Sequence, residues 1–369
     1  MKDKMLVLEN GKVFYGEGFG GKSTRIAELV FNTCMVGYQE IISDPCYAEQ
    51  IVVMSYPLIG NYGLADEDYE SKGIFLSGLV VREYNDLPSN FRYTKTLSEV
   101  MLDNNVSGIA DLDTREIVKI IRDEGEMLAM ITDSNRCIDE CLVELKSSKL
   151  KKRPVELVST QKVWYSRTRN PEFTVVAVDC GIKYSVIKKL NEYGCNVVIV
   201  PFNTSFDDIV KLKADGLFIT NGPGNPMEII EIIELINKAR GKMPIFGLSL
   251  GCQLIGLAYG ATTYKMKFGH RGSNIPVKDL ETGKVEITTQ NHSYALNNDS
   301  LLGKQIKITH INLLDNEAEG VFDQLNGVIG MQYHPESAEG TADSILIFEK
   351  YIELLRKAGG NKNAQENRY

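Results

Sequence analysis

Residues 243–260 read MPIFGLSLGCQLIGLAYG, and the order of their parts decides the fold. Ile245 and Phe246 close a short apolar run, Gly247-Leu248-Ser249-Leu250-Gly251 fits G-x-S-x-G, and the stretch from Gln253 continues with helical texture. Strand, sharp turn and helix are the context this pattern requires. The turn lifts its central side chain into the open, and glycine two residues away on each side leaves room for crowded backbone. A helix opening at the turn offers unpaired amide N–H groups, and the positive end of its dipole, to a developing oxyanion. The five-residue pattern alone also fits an ordinary glycine-rich turn; the flanking strand and helix are what make Ser249 a candidate nucleophile.

Outward from this stretch the same texture repeats. FTVVAVDCG (173–181), NVVIVPF (196–202) and GLFITNGPG (216–224) are apolar runs, each followed by an amphipathic segment, the last of these MEIIEIIELINKAR (227–240). Such alternation predicts buried parallel strands with crossover helices, an α/β doubly wound sheet. Ligands bind such sheets at the carboxyl ends of their strands. Residues 1–150 differ: short β-like runs mix with loops rich in Gly, Pro and Asn. One helix there is opened by Asp113 or Thr114 and stopped near Gly125. The spacing predicts a mixed α/β N-terminal domain over 1–150, a polar linker over 151–172, the doubly wound domain over 173–358 and a flexible tail, GGNKNAQENRY, over 359–369.

Composition bounds the function. The chain has 369 residues, 43% hydrophobic and 24% charged, the range of a soluble globular protein, with a net charge of −8. A mildly acidic chain argues against a nucleic-acid partner, and its one basic cluster (Lys149, Lys151, Lys152, Arg153) reads as a solvated linker. Seven cysteines form no C-x-x-C pair, so no metal site is expected and reduced thiols in a cytoplasm are the simpler reading. No apolar run is long enough to span a membrane. Neither G-x-x-x-x-G-K-[ST] nor G-x-G-x-x-G after a strand occurs, so no nucleotide cofactor is expected on this chain.

A nucleophile needs a base. His334 stands in Met331-Gln332-Tyr333-His334-Pro335-Glu336. Residues two apart in extended chain share a face, so Glu336 could orient its imidazole. His270 and His292 are rivals, and the residues alone leave the three unranked.

The second half resembles a class I glutamine amidotransferase: Asn221-Gly222-Pro223-Gly224 before a helix, then G-x-[nucleophile]-x-G-x-Q, then His334-Pro335-Glu336. KMKFGHRGSNIPV (265–277), TTQNHSYAL (288–296), VFNTCMVGYQEIISDPCYAEQIVVMSYPLIGNYG (30–63) and IADLDTREIVKIIRDEG (109–125) narrow the resemblance to the small subunit of carbamoyl phosphate synthetase, in order along nearly the whole chain. That resemblance implies hydrolysis of glutamine through a cysteine thioester. The ammonia released passes to a large partner subunit, which uses ATP, Mg and bicarbonate to make carbamoyl phosphate for pyrimidine or arginine synthesis. It makes His334 the base and Glu336 its orienting carboxylate, and maps glutamine contacts onto Cys46, Gly222, Gly224, Leu250, Gln253, Asn291, Ser293 and Tyr294.

The departures from the family fall in the pocket. Ser249 stands where the nucleophilic cysteine belongs, Cys252 where histidine is usual, Cys46 for a serine and Ser293 for a glycine. A hydroxyl is a far weaker acid than a thiol and depends on a well-aligned base. Ammonia-dependent vertebrate synthetases of the family also carry serine at this position, whereas a dipeptidase branch of the fold uses serine as nucleophile. The expectations are therefore three: a small subunit with impaired glutaminase, a catalytically silent structural or regulatory subunit, or a Ser249-His334-Glu336 amide hydrolase. Cys252, three residues past the turn, reads as a small buried residue behind the elbow.

Overall fold

A computed structural model describes residues 2–150, 152–336 and 346–366, with side chains to residue 359. The chain forms two compact units. The first holds Met1–Lys152 together with Lys267–Gly272; the second holds Arg153–Met266 and the chain from Ser273 onward.

In the first unit, strands β1 (Lys4–Leu8), β2 (Val13–Gly20), β3 (Arg25–Asn32), β4 (Gln50–Met54), β6 (Gly78–Val80), β8 (Ser107–Ala110) and β9 (Met127–Asp133) close a barrel in the order β1-β2-β8-β6-β4-β3-β9, beside a small ladder of β5 (Leu58–Ile59) and β7 (Glu83–Tyr84). Alternation divides the strand residues. Leu29, Ile51 and Val53 join a core with Ile117, Ile120 and Ile121 of the helix Thr114–Glu124, while Val30, Val52 and Met54 join another. Asp113 caps that helix through the Glu116 N–H at 3.1 Å, and Gly125 ends it, as the sequence predicts.

Lys267–Gly272 joins this unit because Glu126 holds it. The Gly269 N–H and Arg271 Nη1 both donate to Glu126 Oε1, at 3.0 and 2.6 Å, and the Glu126 N–H reaches the Lys267 carbonyl at 2.9 Å. The Arg271–Glu126 pair is almost wholly buried. Nothing in the local sequence announces this partner, which lies 145 residues away.

In the second unit ten strands form one sheet: β10 (Trp164–Ser166), β11 (Phe173–Asp179), β12 (Cys195–Pro201), β13 (Gly216–Ile219), β14 (Ile245–Leu248), β15 (Thr263–Asp279), β16 (Val285–Leu296), β17 (Lys307–Asn312), β18 (Ala318–Asp323) and β19 (Val328–Met331). Their order is β10-β12-β11-β13-β14-β19-β18-β17-β15-β16. The segment β12-β11-β13-β14-β19 is parallel. Neighbouring residues on one strand enter opposite cores, Val176 and Val178 on one face, Val175 and Ala177 on the other. Both faces are thus covered, which is why these strands read as unbroken apolar runs.

Two boundaries differ from expectation. The predicted linker contains a short helix, Val155–Val158, and β10, which pairs antiparallel with β12. Trp164 packs against the core, and that burial makes an edge strand of a polar stretch. The predicted tail continues the helix Leu346–Glu366 through Gly359 and Gly360; residues 367–369 lie outside those described. Flanking residues of good helix propensity offset the two glycines.

Candidate active site

The site assembles where β13, β14 and β19 end. β14 leads into Ser249, whose backbone takes φ 52° and ψ −106°, and the helix Leu250–Ala258 starts at the next residue. Such a conformation costs a non-glycine residue about 1–3 kcal/mol and persists where its surroundings impose it. Here they do. A Cβ on Gly247 would strike the Gly251 carbonyl, and one on Gly251 would strike the Ile219 carbonyl at the end of β13. The Ser249 N–H donates to Met331 O at 2.6 Å, fastening the elbow to the end of β19. Leu250 and Gly251 open the helix, where N–H groups have no intrahelical acceptor and are suited to meet an anion.

β19 then carries the chain to His334, three residues beyond Met331 on the strand neighbouring Ser249's. The His334 N–H donates to Thr289 O of β16 at 2.8 Å, and its Nδ1 lies 2.9 Å from Glu336 Oε1. A carboxylate only accepts, so Nδ1 carries the proton and Nε2 is the basic nitrogen. Nε2 has no hydrogen-bond partner among the described residues. Ser249, His334 and Glu336 are all buried, at 1%, 3% and 8% exposure.

Sequence reading missed Lys183. It follows β11 by four residues, is buried, and places Nζ 3.5 Å from Glu336 Oε1. Burial alone would push the Glu336 carboxyl upward; the His334 imidazole and the Lys183 ammonium outweigh it and hold the group at about 2. The signal available was a lysine at the carboxyl end of a buried strand, where a charge needs a partner. The rival histidines have other places. His292 sets Nδ1 2.9 Å from Tyr294 O and Nε2 3.0 Å from Gln290 Oε1, and His270 lies in Lys267–Gly272 of the first unit.

The expected glutamine contacts in the second unit are drawn to this edge. Asn221 Nδ2 donates to Gly181 O at 2.8 Å, joining the loops after β13 and β11. A Cβ on Gly222 would run into the Cys180 carbonyl, and Gly224 sits at φ 96°, a left-handed conformation suited to glycine. Gln253, one turn beyond Ser249, donates through Nε2 to Tyr294 O at 2.7 Å and to Gln332 Oε1 at 3.0 Å, so β16 with Asn291, Ser293 and Tyr294 borders the elbow helix. Cys46 is a residue of the first unit, buried in the turn Pro45–Tyr47 with its N–H on Asp44 Oδ1. Cys252 is fully buried in the sheet core, and burial pushes its thiol well up.

Residues 6–131 match the family of the carbamoyl-phosphate synthase small chain, CPSase domain, and residues 176–354 match glutamine amidotransferase class-I. The chain is 43% identical over 364 residues to a carbamoyl phosphate synthase small chain of Oceanobacillus iheyensis, covering 98% of this chain and 99% of that one. It is also 43% identical to the pyrimidine-specific small chain of Bacillus subtilis, covering 95% and 96%. With the elbow, the His334–Glu336 pair and both family matches in chain order, this protein belongs to the carbamoyl phosphate synthase small-chain family.

Proposed function

We propose that this small glutamine-amidotransferase subunit keeps the frame of a glutaminase but hydrolyses glutamine weakly or not at all, so that its complex with a large synthetase subunit draws on free ammonia. The observation that carries this reading is Ser249 at the strained elbow, in a site whose His334–Glu336 pair is intact. A pocket shaped around a thiolate asks of a hydroxyl a shorter bond and a proton transfer at the moment of attack. On this reading Gly222, Gly224, Leu250, Gln253, Asn291, Ser293 and Tyr294 contact glutamine, and ATP and Mg bind the large subunit. The protein works in the cytoplasm, and its product feeds pyrimidine or arginine synthesis.

The test is glutamate release from glutamine by the purified chain, with and without its large subunit, beside Ser249→Cys. The expected result is a silent parent and a Ser249→Cys variant that turns over. Parent turnover that Ser249→Ala abolishes would overturn the proposal in favour of a serine hydrolase. The intact His334–Glu336 hydrogen bond gives that second reading its support. A fluorophosphonate that labels Ser249 separates it from the first.

A further inference from the structure

Gln332 is buried to 1% exposure, two residues before His334 and directly after β19. Its Oε1 accepts from Gln253 Nε2 at 3.0 Å, while its own Nε2 has no partner among the described residues. Leaving a buried amide donor unpaired is costly, and methionine would fill the same volume without that cost.

What the acceptor does follows from donor arithmetic. A backbone carbonyl only accepts, so the 2.7 Å contact of Gln253 with Tyr294 O turns the Gln253 NH₂ toward β16. Gln332 Oε1 takes the second hydrogen of the same group. Both donors are then committed, and Gln253 Oε1, an acceptor, is the polar atom the carboxamide has left to offer. The register is matching. Gln253 lies four residues after Ser249, on the same helix face, and Gln332 lies two before His334, so the pair spans the two elements that carry nucleophile and base.

We propose that Gln332 is a positioning residue for substrate recognition: by holding the Gln253 carboxamide in one orientation, it makes the pocket present an acceptor, which pairs with the N–H donors of a carboxamide substrate and disfavours the carboxylate product. This rests on the reading of the pocket as a glutamine site. An unclamped carboxamide could rotate and offer its NH₂ to glutamate instead.

The experiment uses the complex with the large subunit in a Ser249→Cys background, with Gln332→Met, Gln332→Asn (too short to reach Gln253) and Gln253→Met, each alone, and the Gln253→Met/Gln332→Met double variant. Each Gln332 variant is expected to raise the KM for glutamine about tenfold, the worth of one neutral hydrogen bond, with kcat changed less than about twofold. The ratio of glutamate to glutamine dissociation constants, read by titration calorimetry on the same Gln332 variants with Ser249 kept so that glutamine is not consumed, falls by a similar factor. In the Gln253→Met background Gln332→Met adds nothing, because it acts through Gln253. An unchanged KM in both Gln332 variants, or full additivity in the double variant, overturns the proposal and leaves the glutamine pocket standing. A Ser249→Cys complex that neither binds nor hydrolyses glutamine overturns the pocket reading and the proposal with it.

Discussion

Replacing Glu336 with glutamine tests whether the charge of this site is built into the fold. The Glu336 carboxyl is wholly buried, with His334 Nδ1 at 2.9 Å and Lys183 Nζ at 3.5 Å. It is held at about 2, against an ordinary 4.5. A displacement of that size, at 1.36 kcal/mol per pH unit, is at most about 3.4 kcal/mol. Because the folded value is depressed, the contribution is complete above the unfolded value and is lost as pH falls toward the folded one. Between about pH 6 and about pH 3 roughly 2 kcal/mol of it disappears by this linkage. In a unit of this size that corresponds to a Tm change of about 4–8 °C. Glutamine cannot titrate, so Glu336→Gln lacks this acid-labile part. Scanning calorimetry of both proteins at the two pH values should show the variant well below the parent near neutrality and the gap narrowing by that amount in acid. A gap of the same width at both pH values would refute the claim that His334 and Lys183 together hold Glu336 ionised.

Two further outcomes probe the frame around the site. Gly222→Ala should lower stability by about 1–3 kcal/mol, because its Cβ meets the Cys180 carbonyl and backbone on both sides must shift; an unchanged urea midpoint would show that the loop adapts freely. A small thiol reagent on the folded protein should modify Cys137 rapidly and the other six cysteines slowly, since Cys137 is the exposed one. Rapid modification of Cys252, mapped by mass spectrometry, would contradict its burial and its raised thiol.

The parallel strands were legible because each is buried on both faces and so announces itself as an apolar run of its own length. The elbow was legible for a related reason: Gly247 and Gly251 are required by contacts with backbone, which no side chain can avoid. The spacing of His334 and Glu336 suits extended chain, whereas they meet in a turn after β19, and the family resemblance, not the spacing, is what sets His334 above His270 and His292. The missed features depend on distant partners. Lys183 is one lysine among many until β11 brings it to Glu336, and Glu126 is an ordinary acid until Arg271 arrives from far along the chain. The linker misled because β10 is only three residues long inside a polar stretch and is held by its pairing with β12 and the packing of Trp164.

Ser249 and Cys252 together carry the argument about activity. A chain that had moved its thiol by three residues would need that sulfur near the substrate edge. Cys252 instead faces the sheet: a Cβ built on Gly330 of β19 would lie 2.9 Å from its Sγ, and its burial, with Glu319 adding to the effect, pushes the thiol up. In that surrounding the thiol stays protonated and cannot attack. The elbow retains its strain, its helix N-terminus and a base whose Nδ1 is already bound to a carboxylate. These are costs a purely structural subunit has no need to keep, because relaxing Ser249 and filling the buried His334–Glu336–Lys183 cluster with apolar side chains of similar volume is often neutral or stabilising. Their retention fits a pocket that still binds a small amide and has lost the group best suited to cleaving it, and it is why restoring one sulfur atom at residue 249 is expected to be enough.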